Sequence, residues 1–294
     1  MTDARELTLA LKGRWYGQYG AAPCPVCQPA GRRSQNALTL ADGDGRLLLH
    51  CKRSSCDFID ILAAAGLRSG DYSAPDPVKA FNREAEVRAD AIRKQAAAKR
   101  LWQECQPIGG TLAETYLRSR AITCELPDTL RFHPKCWHGP SGERWPAMVA
   151  LVEGGKGFSV HRTYLRPDGG GKAGLAGGDK LMLGSTGGGA VRLCEGKGRL
   201  VIAEGIESGL SLMCGLLEFP GGVWAALSTI GMRSLRLPET ANRLVMAADG
   251  DSPGREAAFA LASKATSNGW LVSRLDPGDG ADFNDILAGK AVAA

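Results

Sequence analysis

The last hundred residues constrain the fold most. Four short apolar runs, RLVIAEG (199–205), VWAALST (223–229), RLVMAAD (243–249) and WLVSRLD (270–276), alternate with segments of helical or polar pattern: ESGLSLMCGLLE, MRSLRLPE, SPGREAAFALASKATSNG and DFNDILAGK. Apolar strands separated by helices predict an α/β architecture, a parallel sheet covered on both faces. In such sheets functional groups gather at the carboxyl ends of the strands. Glu204 ends the first run, Asp249 and Asp251 end the third, and Asp282 and Asp285 lie just past the fourth.

The stretch LVMAADGDSPGREAAFAL brings two aspartates to one strand end. Two carboxylates at i and i+2 can face one hard cation once the chain leaves the pleat, and Gly250 and Gly254 permit a tight exit. Ser252 is the expected cap of the next helix, with Pro253 at its first position. An EF-hand does not fit, because its fifth and twelfth positions would be Pro253 and Ala260. Glu204, Asp249 and Asp251 together suit magnesium, which takes a few carboxylates plus water and substrate phosphates. Asp282 and Asp285 have a spacing that suits either metal ligation or helix capping.

The other concentrated signal is cysteine. Cys24 and Cys27 form a CxxC, and Cys51 and Cys56 a CxxxxC, with 23 residues between the pairs. Each pair can present two sulfurs from one knuckle, and the strand-like ALTL and RLLLH between them predict a zinc ribbon with a closed, structural Zn2+ site. Arg32, Arg33, Lys52 and Arg53 lie close in sequence and are candidates for contact with single-stranded nucleic acid. The remaining cysteines, at 105, 124, 136, 194 and 214, show no paired spacing and read as small buried hydrophobes.

Four regions follow: a zinc ribbon over 1–70, a helical linker over 71–106, a basic mixed α+β region over 107–195, and the α/β region over 196–294. The linker opens with SGDYSAPDP and continues from Lys79 as an Ala-, Arg- and Glu-rich helix to Glu104. The middle region has a predicted helix at TLAETYLRSR, strands at AMVALVE and FSVHRTYL, and a glycine-rich, mobile loop, GGGKAGLAGGDK, carrying Lys172 and Lys180. That loop lacks the GxxxxGK[ST] of a P-loop. Charge is uneven: residues 196–294 hold 9 Lys/Arg against 11 Asp/Glu, whereas residues 1–195 hold 27 against 20. A basic front and an acidic back suit a polyanion-binding region joined to a carboxylate site. No apolar run reaches the about 18 residues of a membrane span, and the N-terminus is amphipathic, so a cytoplasmic protein with no membrane contact is expected.

VIAEGIESGLSL, MAADGDSPGREAAFAL and GADFNDIL together resemble the TOPRIM domain of bacterial primases, topoisomerases and some nucleases. The resemblance implies that Glu204, Asp249 and Asp251 hold catalytic Mg2+ or Mn2+, with Glu204 a metal ligand or a general acid/base. A cysteine ribbon followed by a linker, a YLxxRG-like helix (TYLRSRA) and LRFHP resembles the order in bacterial replicative primases. PAMVALV, HRTYLRPDGGGKA and EGIESGLS are similar to TOPRIM primase-like proteins of phages, plasmids and integrated elements. Two departures stand out. Ala121 replaces the glycine of the helix motif, and Ser208 stands where replicative primases carry an aspartate, with Glu207 one residue earlier.

The resemblance implies a DNA primase that makes short RNA primers by metal-dependent nucleotidyl transfer. Its expected partners are single-stranded DNA template, nucleoside triphosphates and a separately encoded replicative helicase, since the chain ends soon after DFND. Arg162, Arg166 and Lys172 are the candidates for phosphate contact. A TOPRIM nuclease and a non-catalytic zinc-ribbon DNA-binding accessory are the alternatives. A topoisomerase is disfavoured, because no region resembles the required tyrosine domain.

Overall fold

A computed structural model of the protein describes residues 3–30, 36–43, 45–68, 70–72, 77–217 and 221–289. Arg32, Arg33, the linker residues 73–76, Glu218 and Lys290 lie outside the described residues. The chain divides into two compact units, Met1–Asp90 and Ala91–Ala294.

The first unit opens with α1 (Ala4–Ala10), capped by Asp3, whose side chain accepts the Glu6 N–H. A four-stranded antiparallel sheet follows in sequence order: β1 (Arg14–Trp15), β2 (Gly20–Ala22), β3 (Leu38–Asp42) and β4 (Leu47–Cys51). Leu38 and Leu40 of β3, at the alternating positions of the pleat, are fully buried with Ala4, Leu7, Ile61 and Leu62. The latter two come from α2 (Phe58–Ala64), capped by Asp57. The β3–β4 hairpin pairs Leu38 with Cys51, and so carries the second cysteine knuckle back toward the start of β3. α3 (Pro77–Glu104) realises the predicted long helix, and the boundary between the units falls within it.

The second unit holds two five-stranded sheets. The first has the order β5 (Gln106–Pro107), β6 (Leu130–His138), β7 (Glu143–Val152), β8 (Ser159–Tyr164) and β9 (Lys180–Gly184), every neighbour antiparallel. α4 (Leu112–Ser119) lies between β5 and β6 in sequence. Its predicted partner motif ends at Ala121, which sits at φ +60°, the left-handed region that glycine occupies without strain. β6 bulges between His133 and Cys136, where Pro134 has no N–H to give the ladder. The sheet is covered on both faces. Leu130, Phe132, Met148 and Ala150 join the core shared with Tyr116 and Leu117 of α4, while Ala147, Val149, Val160 and Tyr164 pack with Ala98, Leu101 and Trp102 of α3. All six residues of β8 are buried as a result.

The second sheet contains β10 (Val191–Cys194), β11 (Arg199–Ala203), β12 (Gly222–Ala225), β13 (Arg243–Ala247) and β14 (Leu271–Arg274), in the order β10-β12-β11-β13-β14. The four predicted runs are β11 to β14 and are mutually parallel, with β10 an antiparallel edge. The helices between them are α5 (Ile206–Ser211), α6 (Thr229–Ser234), α7 (Ser252–Ser267) and α8 (Phe283–Leu287), the last after β14. One face of the sheet packs Val201, Ala203 and Val245 with Ile206 and Leu210 of α5. The other packs Ile202, Leu244 and Met246 with Met232, Ala258 and Leu261. α5 ends in a wide π turn over Leu212–Leu216, where Gly215 takes φ +106°. Among the described residues, no helix is long and apolar enough to cross a membrane.

Candidate active site and metal centre

β11 and β13 are adjacent and parallel, with Ala203 opposite Ala247, so the residues that follow them emerge side by side. Glu204 leaves β11 just before Gly205, the N-cap of α5. Asp249 and Asp251 leave β13 at the start of α7. Gly250 is required by close approach: a Cβ there would collide with the Gly278 carbonyl, because Gly250 N–H donates to Ala281 O at 2.8 Å and Gly280 N–H donates to Gly250 O at 3.0 Å. Gly254 faces the acids. A Cβ on it would stand 2.7 Å from Asp249 O, 2.8 Å from Asp251 Oδ1 and 3.0 Å from Glu204 Oε2.

The cap of α7 is Asp251 and not Ser252: its Oδ1 accepts the Gly254 N–H at 2.7 Å, and Ser252 is the first helical residue. A carboxylate at a helix N-terminus is favoured over a hydroxyl by the helix dipole. Asp282 and Asp285 form a reciprocal capping box on α8, Asp285 N–H to Asp282 Oδ1 at 2.8 Å and Asp282 N–H to Asp285 Oδ2 at 3.2 Å. Asp282 nonetheless stands near enough to Asp249 to repel its charge.

Electrostatics single the cluster out. Burial, followed by repulsion from Asp249 and Asp251, pushes Glu204 up to about 7. Burial, then Asp282, pushes Asp249 up to about 6, against a hydrogen bond from Ser208 Oγ at 3.2 Å. Glu204 Oε2 is buried and has no hydrogen-bond partner among the described residues. Two carboxylates held above their usual range next to a third, Asp251, with an orphaned oxygen on Glu204, fit a hard divalent cation. Glu204, Asp249 and Asp251 would hold it, through the oxygens that capping leaves free.

The candidate phosphate-binding residues separate. Arg162 is corrected: it is 8% exposed, and its guanidinium donates to the Trp137 carbonyl at 3.2 Å and the Met182 carbonyl at 3.1 Å, so it fastens β8 to its surroundings. The cause is that β8 is covered on both faces, which its polar-looking HRTY does not announce. Arg166 is exposed and pairs with Asp168 at 2.6 Å. Lys172 is half-buried and stands 3.7 Å from Glu207 Oε1. Lys180 is corrected too: it is not in a mobile loop but is the first residue of β9, 3.2 Å from Glu207 Oε2.

Glu207 is the hub that spacing alone left undecided. It is buried, yet its carboxyl is held far below the usual range: burial opposes ionisation, but Lys180, Lys172 and a 2.7 Å hydrogen bond from the Tyr116 hydroxyl outweigh it. Glu207 is thus tied to Lys180, Lys172 and Tyr116, while Ser208 reaches the acid cluster through its bond to Asp249. The field of Lys180 reaches both Glu204 and Asp249, which places a cation beside the acids.

In the first unit, Cys24, Cys27, Cys51 and Cys56 have their sulfurs within 4.8 Å of one another, and Cys27 and Cys51 are 3.6 Å apart. A tetrahedral zinc with Zn–S of about 2.3 Å needs sulfurs about 3.8 Å apart. The donor set fits. Burial opposes ionisation of Cys51, but the N–H groups of Ser54, Cys56 and Arg53 outweigh it and bring the thiol down to about 6, as a metal-binding thiolate requires. Lys52 and Arg53 of this knuckle are exposed.

The second unit thus carries an acid cluster at the carboxyl ends of a mainly parallel α/β sheet, and the first unit carries a four-cysteine cluster. Residues 199–292 match the Toprim domain. Residues 92–193 match a domain of unknown function, DUF7146. No curated protein matches the chain. Among solved structures it is similar to the zinc-binding and RNA polymerase domains of the Aquifex aeolicus primase, at 13% identity and a TM-score of 0.44 over 99% of this chain and 83% of that one. It is also similar to a DNA primase domain from Pseudomonas aeruginosa, at 16% identity and a TM-score of 0.40 over 68% and 74%. A third is the primase fragment of the bacteriophage T7 primase-helicase protein, at 14% identity and a TM-score of 0.29 over 49% and 62%.

Proposed function

We propose that this protein is a DNA primase, synthesising short RNA primers on single-stranded DNA from nucleoside triphosphates. The observation that carries metal-dependent phosphoryl chemistry is Glu204 Oε2, buried and unpartnered beside Asp249 and Asp251 in a Toprim domain. Glu204, Asp249 and Asp251 would hold a magnesium or manganese ion there, which would supply positive charge to the α-phosphate and acidify an attacking 3′ hydroxyl. Asp249 is oriented by Ser208, and Asp251 by its own cap bond to Gly254. Gly254, lacking a Cβ, leaves the three carboxylates free to converge.

Lys172 and Lys180 favour polymerisation over hydrolysis of a nucleic acid. Nucleotidyl transfer expels pyrophosphate, which carries more negative charge than the single phosphate group at a nuclease centre, and Lys180, whose charge reaches Glu204 and Asp249, together with Lys172 on the neighbouring Glu207, offers compensating charge. The four-cysteine ribbon, with exposed Lys52 and Arg53, suits contact with template. The replicative helicase partner and an origin in a mobile element rest on the resemblance of HRTYLRPDGGGKA and EGIESGLS alone. The test is incubation with single-stranded template, labelled nucleotides and magnesium. Template-dependent product longer than a dinucleotide is the result expected of a primase, template shortening that of a nuclease, and neither that of a non-catalytic accessory.

A further inference from the structure

Cys124 and Cys214 lie 90 residues apart in sequence, and neither has the spacing of a site, yet the fold sets them against each other. Cys214 sits in the π turn that ends α5, at φ −86° and ψ 27°, outside helical geometry. The break turns its sulfur toward the segment that follows α4. There it accepts two backbone N–H groups, from Thr123 and from Cys124 itself, each at 3.3 Å. The Cys124 thiol donates to the Leu210 carbonyl at 3.6 Å, one helical turn before Cys214. Both residues are half-buried, so a small reagent reaches them.

We propose that Cys214 and Cys124 form an oxidisable thiol pair, with Cys214 the attacking thiolate and Cys124 the resolving thiol, which closes to a disulfide on contact with a hydroperoxide. Two convergent amide N–H groups stabilise a thiolate as they stabilise any anion, and a thiolate beside a second thiol is the arrangement that forms disulfides. The charge balance of the two sulfurs agrees. Burial opposes ionisation of Cys214, but the hydrogen bonds of Cys124 and Thr123 outweigh it and hold that thiol below its usual value. Burial, followed by its neighbour Cys214, pushes Cys124 up to about 12.

The Cys214 thiolate attacks one oxygen of hydrogen peroxide. The O–O bond breaks, the leaving hydroxide takes a proton to become water, and Cys214 becomes a sulfenic acid. The Cys124 sulfur then attacks the Cys214 sulfur, the S–O bond breaks, and the hydroxyl leaves as water with the Cys124 proton. The two thiols lose two electrons and two protons, and the peroxide is reduced to water. The product ties the segment after α4 to the end of α5, the helix whose first turn carries Glu207 and Ser208.

The full-length protein, loaded with zinc, is treated with hydrogen peroxide, quenched with an alkylating agent and mapped by mass spectrometry. The expected result is a cross-linked peptide joining Cys124 to Cys214, lighter than the sum of its parts by about 2 Da and reversed by dithiothreitol. Iodoacetamide, applied to the reduced protein near neutral pH, is expected to label Cys214 several-fold faster than Cys194, a half-buried cysteine whose thiol donates to the Glu195 carbonyl. In Cys124→Ser, which keeps both amide donors, peroxide is expected to leave a sulfenic acid on Cys214 that dimedone traps. Cross-linked peptide absent under conditions that oxidise Cys194, or labelling of Cys214 no faster than of Cys194, overturns the proposal.

Discussion

Lys180 Nζ stands 3.2 Å from Glu207 Oε2, tying the first residue of β9 to the first turn of α5. Through this bond the antiparallel sheet of the middle region delivers a cation to the carboxyl ends of the second sheet, where Glu204 and Asp249 feel its charge. Glu207 is the organiser of that arrangement, with Tyr116 and Lys172 on its other oxygen.

Lys180→Ala is therefore expected to lower primer synthesis by about 10–100-fold, the range of one charge-assisted hydrogen bond. Glu207→Ala leaves the buried Tyr116 hydroxyl without its acceptor and is expected to cost about 1–3 kcal/mol of stability as well. Thermal unfolding and initial rates, measured on both variants, separate the effects. Unchanged rates in Lys180→Ala would remove the lysine from the reaction.

Gly254→Ala tests how tightly the acids converge. Alanine is the better helix former, so α7 itself gains, but the added methyl group falls 2.8 Å from Asp251 Oδ1 and 3.0 Å from Glu204 Oε2. The variant is expected to fold, with a net loss of about 1–3 kcal/mol from overpacking, and to bind magnesium far more weakly. Titration calorimetry with magnesium is the readout, and wild-type affinity would contradict the geometry.

The raised acids give a signed pH dependence. Glu204 and Asp249 have values of about 7 and about 6 in the folded, magnesium-free protein, against ordinary values of 4.5 and 3.8. They bind protons more tightly folded than unfolded, so their contribution is fully present below about pH 4 and is lost as pH rises through 6 and 7. A divalent ion binds the ionised forms and offsets that loss. The rise in melting temperature on adding magnesium is thus expected to be small at pH 5 and to grow through pH 7. An equal rise at both would contradict the assignment.

Zinc removal acts on the other unit. The protein as purified is expected to hold about one zinc per chain, released by a thiol-blocking reagent and lowered in Cys51→Ser, because the four sulfurs form one closed site. Loss of zinc is expected to expose the unit containing Leu38 and Leu40 to proteolysis while residues 91–294 resist. A metal content near zero with all four cysteines intact would exclude the ribbon.

What could be read in the chain was what local pattern encodes. The apolar runs of β11 to β13 are buried almost throughout, so their composition announces a covered parallel sheet, and Glu204, Asp249 and Asp251 follow as strand-end acids. CxxC and CxxxxC announce a ligand set because each knuckle is local. Long-range pairing was not legible. Glu207 meets Tyr116 across 91 residues and Lys180 across 27, and Cys214 meets Cys124 across 90, with no period or spacing to betray them. Arg162 misled because an arginine in a polar-looking strand reads as surface, while the face of β8 that carries Val160 and Tyr164 is covered by α3, distant in sequence. Asp251 took the cap expected of Ser252 because the helix begins one residue earlier than Pro253 implied.

Glu204, Asp249 and Asp251 are proposed as the cation site of a primer-synthesising centre. The most direct measurement compares wild type with an Asp249→Asn, Asp251→Asn double variant in template-dependent primer synthesis, with single-stranded DNA binding measured in parallel. Synthesis is expected to fall below detection while DNA binding is largely retained. Primer synthesis at the wild-type rate in the double variant would contradict the proposal.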